Sequence, residues 1–314
     1  MDKEQNKITI REAVTKAEVE HFWQELHEYH TRDMFPDPQD EARGYFLSDE
    51  YRDQMQRIHE RAEDRCYYLF FYRDTAEIGF AMPVMYDSED GKCFLMEFCV
   101  YPQYRGKGTG GECARVFLEW AKEHGAGYTE LNCDTEARIR FWSRSGFRCN
   151  GRDEWGISLM MREPENFIPV TVELLKDPED WQLMKLMNGY LAQIGEKCLT
   201  DEKQELLKSA ICDQKITFFL AKRGYRAVGM CSVTTFFSTC SCGLVGTFED
   251  FYIEPVFRGS GIAALLTAAA TDWCRKQGIS SMMVTCAPCD ETMYQHLGFC
   301  MPIGRTFAHP MGEV

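Results

Sequence analysis

The chain lacks what several large protein classes need. No apolar run approaches the ~20 residues that cross a bilayer as a helix, and the opening MDKEQNKITIREA has no apolar leader core. These absences predict a cytoplasmic protein without a membrane partner. Positive charge is also in deficit, with 35 Lys and Arg against 49 Asp and Glu and a net charge of −14. Nucleic-acid binding rests on Lys and Arg against phosphate, so the balance argues against a nucleic-acid partner and is compatible with a cationic small substrate. No G-x-x-x-x-G-K-[ST] exists, which removes the P-loop. His27 and His30 stand in HEYH, which is not the H-E-x-x-H of a zinc peptidase helix.

At 314 residues, with 45% hydrophobic and 27% charged side chains, the chain is long and apolar enough for two cores. Its 15 cysteines are odd in number, and many lie in apolar runs such as KCFLMEFCV. They read as small buried hydrophobes in a reducing compartment and not as a disulfide framework. The pairs Cys240/Cys242 and Cys286/Cys289 invite a zinc site, but the strands that carry them place the pairs at opposite ends of a sheet, so no metal is expected.

The chain repeats itself. Arg105 and Arg258 are 153 positions apart, as are Glu97 and Asp250, and the Gly-Phe pairs that begin at Gly146 and Gly298 differ by 152. Cys113, Val116, Phe117, Trp120 and Ala121 follow the spacing of one buried helix face, and the same offset gives Leu266, Ala269, Ala270, Trp273 and Cys274. The boundary falls in REPENFIPV, which predicts domains over residues 1–163 and 169–314.

Each half reads as a first strand, two helices, an antiparallel meander, a glycine turn, a long helix, a strand and a short helix, with closing strands in the first half. A long helix separates only one pair of strands, so only that pair need be parallel. The expected class is therefore α/β (α+β), two mixed and mostly antiparallel sheets flanked by helices, each with one parallel βαβ crossover. YTELNCD and MMVTCAP are the strands expected after the long helices.

VYPQYRGKGTGG and IEPVFRGSGIAA place crowded backbone N–H groups at a helix start, where glycines leave room for a phosphate. Gly106, Gly108 and Gly111 also spell the GxGxxG of a nicotinamide enzyme. That fingerprint, however, follows the first strand of its domain, and here the turn comes about 100 residues in.

The two stretches resemble the R-x-x-G-x-G/A motif of the GNAT N-acetyltransferase superfamily, carried by Arg105, Gly108 and Gly110 and by Arg258, Gly261 and Ala263. An acidic residue on the preceding strand and a Gly-Phe after a short helix complete the resemblance over nearly the whole chain. It implies two tandem GNAT domains and acetyl-CoA as cosubstrate. The pyrophosphate would sit on Arg105, Gly106, Lys107, Gly108, Thr109 and Gly110, or on Arg258, Gly259, Ser260, Gly261, Ile262 and Ala263. Backbone N–H groups near Phe98, Cys99 and Val100, or Phe251, Tyr252 and Ile253, would face the thioester.

The resemblance further implies a carboxylate base, Glu97 in the first copy and Asp250 with Glu249 in the second, and a tyrosine acid, Tyr294. The first copy has Trp142 at the tyrosine's place, and an indole N–H is no useful acid. The second copy is accordingly expected to be catalytic and the first to bind CoA. The resemblance also makes His30, Arg32 and Asp33 secondary candidates for the acceptor pocket, since the first two helices and their connection border it in such folds. The expected reaction is acetyl transfer to a primary amine of a small molecule, or less readily of a protein. A non-catalytic CoA-binding or regulatory protein is the alternative, and a nicotinamide-dependent oxidoreductase a distant one. Nothing in the sequence indicates an oligomer.

Overall fold

The computed structural model describes residues 7–153, 156–163 and 168–304. The chain divides into two compact units, Met1–Asn166 and Phe167–Val314. Residues 1–6 of the opening segment and 164–167 of the boundary segment lie outside the described residues.

The N-terminal unit runs β1 (Ile8–Glu12), α1 (Lys16–Tyr29), a π-helical turn (His30–Met34), α2 (Glu41–Phe46), α3 (Asp49–His59), β2 (Leu69–Arg73), β3 (Ala76–Tyr86) and β4 (Lys92–Val100). It continues through α4 (Thr109–Glu123), β5 (Tyr128–Cys133), α5 (Glu136–Arg144), β6 (Arg148–Arg152) and β7 (Ser158–Arg162). The strands form one sheet in the order β1-β2-β3-β4-β5-β7-β6. β4 and β5 are parallel and the other neighbours antiparallel.

Helix α1 begins with a capping box, Thr15 accepting from the Glu18 N–H while the Glu18 carboxylate accepts from that of Thr15. It buries Phe22, Trp23, Leu26 and Tyr29 on one stripe. That stripe and α3 cover one face of the sheet, against Phe70, Phe80, Val84 and Cys99. Helix α4 covers the other face with Cys113, Phe117 and Ala121, against Leu69, Ile78, Leu95 and Val100. Successive residues of a strand point to opposite faces, so Cys99 and Val100 belong to different cores.

The C-terminal unit runs β8 (Val170–Leu174), α6 (Trp181–Ile194), α7 (Asp201–Cys212), β9 (Ile216–Arg223), β10 (Arg226–Ser238), β11 (Gly243–Ile253), α8 (Ile262–Lys276), β12 (Met282–Met283) and α9 (Glu291–His296). Its sheet has the order β12-β11-β10-β9-β8, parallel only between β11 and β12. The repeat survives at the level of burial: Cys113, Phe117 and Ala121 are buried with Val116 and Trp120 half-buried, and Leu266, Ala270 and Cys274 are buried with Ala269 and Trp273 half-buried.

One local expectation needs correction, and two further features appear only in the structure. MMVTCAP is a strand only at Met282–Met283, because it pairs with β11 only there and Pro288 has no N–H for a ladder. The acidic run after Pro36 contains a helix, α2, which Asp40 starts by accepting from the Ala42 N–H. Beyond Tyr29 the helix does not stop but widens into the π turn, a form found often at functional sites.

Candidate active site

The glycine turns are built alike. Gly108 and Gly261 hold φ of 83° and 86°, a left-handed conformation that glycine adopts without strain, and no side chain caps α4 or α8. A Cβ added at Gly106, Gly108, Gly259 or Gly261 meets no atom within 4 Å, so space is open beside each turn, where the first N–H groups of the helix have no intrahelical partner.

Arg105 and Arg258 serve the turn itself. Arg105 Nε donates to the Val100 carbonyl at 2.6 Å, and its Nη1 and Nη2 reach Asp33 at 3.1 and 2.6 Å. Arg258 repeats the device, Nε donating to the Ile253 carbonyl at 2.9 Å and Nη2 to Gln193. Thr109 and Ile262 are buried, so their side chains pack while their backbone N–H groups open the helix. Lys107 and Gly259 are exposed, and Ser260 donates to the Phe257 carbonyl.

In the N-terminal unit the turn opens onto a cleft of about 970 Å³ lined by Phe98, Val100, Gly108, Phe141, Ser145 and Gly146, with Arg105, Arg115, Arg144 and Arg162 around it. Size, cationic rim and uncapped helix start fit a large anionic ligand with an elongated arm. β4 pairs with β5 only at Lys92, Cys93 and Phe94, so the two strands part beyond that point and leave Leu95 to Val100 unpaired on that side. Cys99 is buried on the α1 side, and burial pushes its thiol up to about 12. Phe98 packs on Phe71, Phe141 and Trp142.

A β-bulge precedes Glu97, where Met82 faces Glu97 and Pro83 faces Leu95. Glu97 is only 6% exposed, and its Oε1 lies 2.8 Å from Nε2 of His30, itself 1% exposed. Phe35, Phe46, Tyr29 and Tyr51 surround that imidazole. Arg32 and Asp33 do not join this group: they pair with each other, and Asp33 clamps Arg105, which holds its carboxyl below the usual range.

The C-terminal unit bulges at the corresponding place, between the Met230–Tyr252 and Ser232–Glu249 pairs. Asp250 occupies the bulge with φ of 48°, a strained value for a residue with a side chain. Its Oδ2 accepts from Ser232 Oγ at 2.6 Å, while burial pushes its carboxyl above the ordinary range. Glu249 points away, exposed and bonded to Thr234 Oγ1 at 3.0 Å. Tyr252 and Ile253 are buried, while Phe251 is half-buried and packs on Tyr294, 6.0 Å between ring centres. Burial raises the Tyr294 hydroxyl to about 12.

Sequence reasoning missed Tyr190. Burial raises its hydroxyl first, and the charges of Asp250 and Glu249 raise it further; Tyr190 in turn acts on Tyr294. Tyr190 is half-buried on α6, whose buried residues are Leu183, Leu186 and Met187, so helical periodicity marked it as packing and not as site. Trp142 sits at the position of Tyr294 in the other copy and is 7% exposed, packed on Phe98, Phe141 and Phe147.

The described residues contain no cluster of three or more His, Cys, Asp or Glu able to hold a metal, and no helix long and apolar enough to cross a membrane. Cys240 and Cys242 lie at the β10–β11 hairpin, and Cys286 and Cys289 beyond β12.

Several solved acetyltransferases are similar to about half of this chain. One from Trypanosoma brucei is 17% identical, with 46% of this chain and 100% of that one covered and a TM-score of 0.39. A predicted acetyltransferase from Clostridium acetobutylicum, solved with acetyl-CoA, is 14% identical (45% and 96% covered, TM-score 0.40). The PaiA N-acetyltransferase of Thermoplasma acidophilum, in complex with coenzyme A, is 16% identical (50% and 99% covered, TM-score 0.41). Comparison with curated proteins found no match. The family model described as "Acetyltransferase (GNAT) family" matches twice, over residues 23–147 and 182–299. With a match in each unit, on the turn, the splayed strand and the short helix just described, the chain belongs to the GNAT acetyltransferase family as a tandem member.

Proposed function

We propose that the chain is an acetyl-CoA-dependent N-acetyltransferase whose C-terminal unit moves the acetyl group to a primary amine of a small molecule. The observation that carries this reading is Asp250, raised by burial and held by Ser232 in the bulge of β11 beyond the last pair with β12, next in sequence to Phe251, on which Tyr294 packs.

Acyl transfer to an amine needs a base, donors for the developing oxyanion and a way for thiolate to leave. Asp250 is the base, and its raised carboxyl brings its proton affinity nearer to that of its task. Backbone N–H groups at Phe251 to Ile253, freed where the strands part, face the thioester oxygen. Tyr294 keeps its proton through the neutral range and donates a hydrogen bond to the departing sulfur. A free thiol has a pKa near 8.5, so that stabilisation is enough for thiolate to leave. Glu249, exposed and tied to Thr234, adds negative charge that favours a cationic acceptor. The uncapped starts of α4 and α8, Gly106 to Gly110 and Gly259 to Ala263, hold the pyrophosphate.

The reading is tested by incubating the full chain with acetyl-CoA and a panel of primary amines, with thiol release and acetylated product measured together. Product formation that falls about 100-fold on Asp250→Asn supports it. Hydrolysis alone across the panel would point instead to a CoA-binding or regulatory protein.

A further inference from the structure

The cysteines divide by unit. Cys66, Cys93, Cys99, Cys113 and Cys133 of the N-terminal unit are buried and pack as small hydrophobes. In the C-terminal unit Cys231 and Cys274 are buried, but Cys286 and Cys289 of the CAPC loop are exposed. An exposed thiol adds nothing to a core, and C-x-x-C is the spacing of redox-active dithiols.

The chain from Val284 to Asp290, between β12 and α9, joins no strand. It closes one turn, in which the Asp290 N–H donates to the Ala287 carbonyl at 3.0 Å. Asp290 also begins α9, and its carbonyl accepts from the Tyr294 N–H at 3.1 Å. The loop reaches Tyr294 a second way, because Cys286 lies near enough for its charge to act on the Tyr294 hydroxyl. Tyr294 in turn packs on Phe251, the neighbour of Asp250 in sequence. The other copy has no such pair: the offset of 153 places Cys133, 2% exposed in the core, and Glu136 at these positions.

A disulfide needs Cα atoms roughly 4.4–6.8 Å apart, the separation of the two ends of a β-turn. The turn that is closed, Ala287–Asp290, is one residue out of step with the cysteines. Bridging makes Cys286 and Cys289 the ends of the turn, with Ala287 and Pro288 in its middle, and Asp290 gives up its bond to Ala287. Proline is disfavoured at the third position of a turn, because it forces the residue before it out of the helical region. The bridge is therefore strained as well as exposed, which makes it labile and reducible.

We propose that Cys286 and Cys289 are a redox-active dithiol whose bridge displaces Tyr294 and slows the C-terminal copy. The effect on turnover rests on the role given to Tyr294 above; the dithiol itself does not. A peroxide is the oxidant. One thiolate attacks a peroxide oxygen, and with a proton taken up the products are a sulfenic acid and water. The second thiol attacks the sulfenic sulfur, the S–S bond forms and a second water leaves. Two electrons have then passed from the sulfurs to the peroxide. A thiol reductant reverses the bridge through a mixed disulfide. Asp290 belongs to both the turn and the start of α9, so the shifted turn carries the helix start with it and alters how Tyr294 meets Phe251.

The test treats the full chain with hydrogen peroxide, blocks the remaining thiols with iodoacetamide and maps the peptides by mass spectrometry. The CAPC peptide is expected two hydrogens lighter and unalkylated, ahead of oxidation at Cys198, Cys212 and Cys300, and alkylated again after dithiothreitol. Amide hydrogen exchange in α9 rises with the bridge, and acetyl transfer to a primary amine falls about tenfold. Cys286→Ser and Cys289→Ser keep the turnover of the reduced chain and lose the response to peroxide. Oxidation of the other exposed cysteines first, with Cys286 and Cys289 still alkylated, overturns the dithiol. A bridge that leaves exchange in α9 unchanged overturns the displacement of Tyr294, and a response retained in Cys289→Ser overturns the bridge as its cause. A reduced chain that transfers no acetyl group removes the parent reading, and the peptide map and the exchange then decide the dithiol by themselves.

Discussion

Ser232 Oγ donates to Asp250 Oδ2 at 2.6 Å across the β10–β11 ladder, at the point where Asp250 bulges out of register with φ of 48°. The hydroxyl stabilises the ionised carboxylate, and burial opposes it and prevails, so the carboxyl lies above its ordinary value.

A base works only when deprotonated, so activity of the C-terminal copy rises with pH through the raised Asp250 pKa, above the usual ~3.9 of an aspartate. Ser232→Ala removes the contact that favours the charged form, and the acid limb of kcat/KM moves to higher pH. Profiles of the unsubstituted chain and of Ser232→Ala, measured side by side, check the direction. A limb that stays in place or moves down contradicts Asp250 as the base.

Tyr294 and Trp142 occupy matching places in sequence and differ in burial. Tyr294→Phe removes a hydroxyl from a half-buried ring, so stability changes by less than about 1 kcal/mol while C-terminal turnover falls tenfold or more. Trp142→Ala empties a site among Phe98, Phe141 and Phe147, and is expected to cost ~3–5 kcal/mol. Urea unfolding beside turnover separates the two effects.

Gly108→Glu and Gly261→Glu each put a Cβ and a negative charge where a phosphate would approach, in a left-handed conformation that costs a side-chain residue roughly 1–2 kcal/mol. Native mass spectrometry with acetyl-CoA is expected to show two molecules bound to the unsubstituted chain and one to each variant. A single molecule on the unsubstituted chain, lost with one substitution and kept with the other, would mean that one turn alone binds.

Asp33 is held below its ordinary value chiefly by its hydrogen bonds to Arg105. A depressed carboxyl stabilises the fold above the unfolded pKa of ~3.9, and that contribution disappears as pH falls through the folded value. Asp33→Asn is therefore expected to cost about 1–2 kcal/mol at neutral pH and progressively less towards pH 2. Arg105→Lys loses the forked contact and the Val100 carbonyl together, with a loss of similar size. Denaturant midpoints at the two pH values check both.

Much of the architecture was legible before the coordinates. The helix faces of α4 and α8 follow a 3.6-residue period that any core-facing helix shows, and their burial repeats from Cys113 to Ala121 and from Leu266 to Cys274. The glycine turns were legible for a chemical reason: few residues other than glycine adopt φ near 85° at an uncapped helix start. Where MMVTCAP stops pairing was not legible, because β-propensity does not say whether a partner strand is present.

By itself the sequence determined the duplication, the turns and which strands carry carboxylates, since these depend on spacing within a few residues. Tertiary structure alone decided what those carboxylates meet. His30 and Glu97 are separated by 67 positions, and Asp33 and Arg105 by 72, yet each pair is in contact because α1 widens into its π turn beside β4. Tyr190 feels the charge of Asp250 only because α6 packs against β10 and β11. No local periodicity encodes such meetings, because they follow from how closed cores bring distant side chains to one place and remove the water between them.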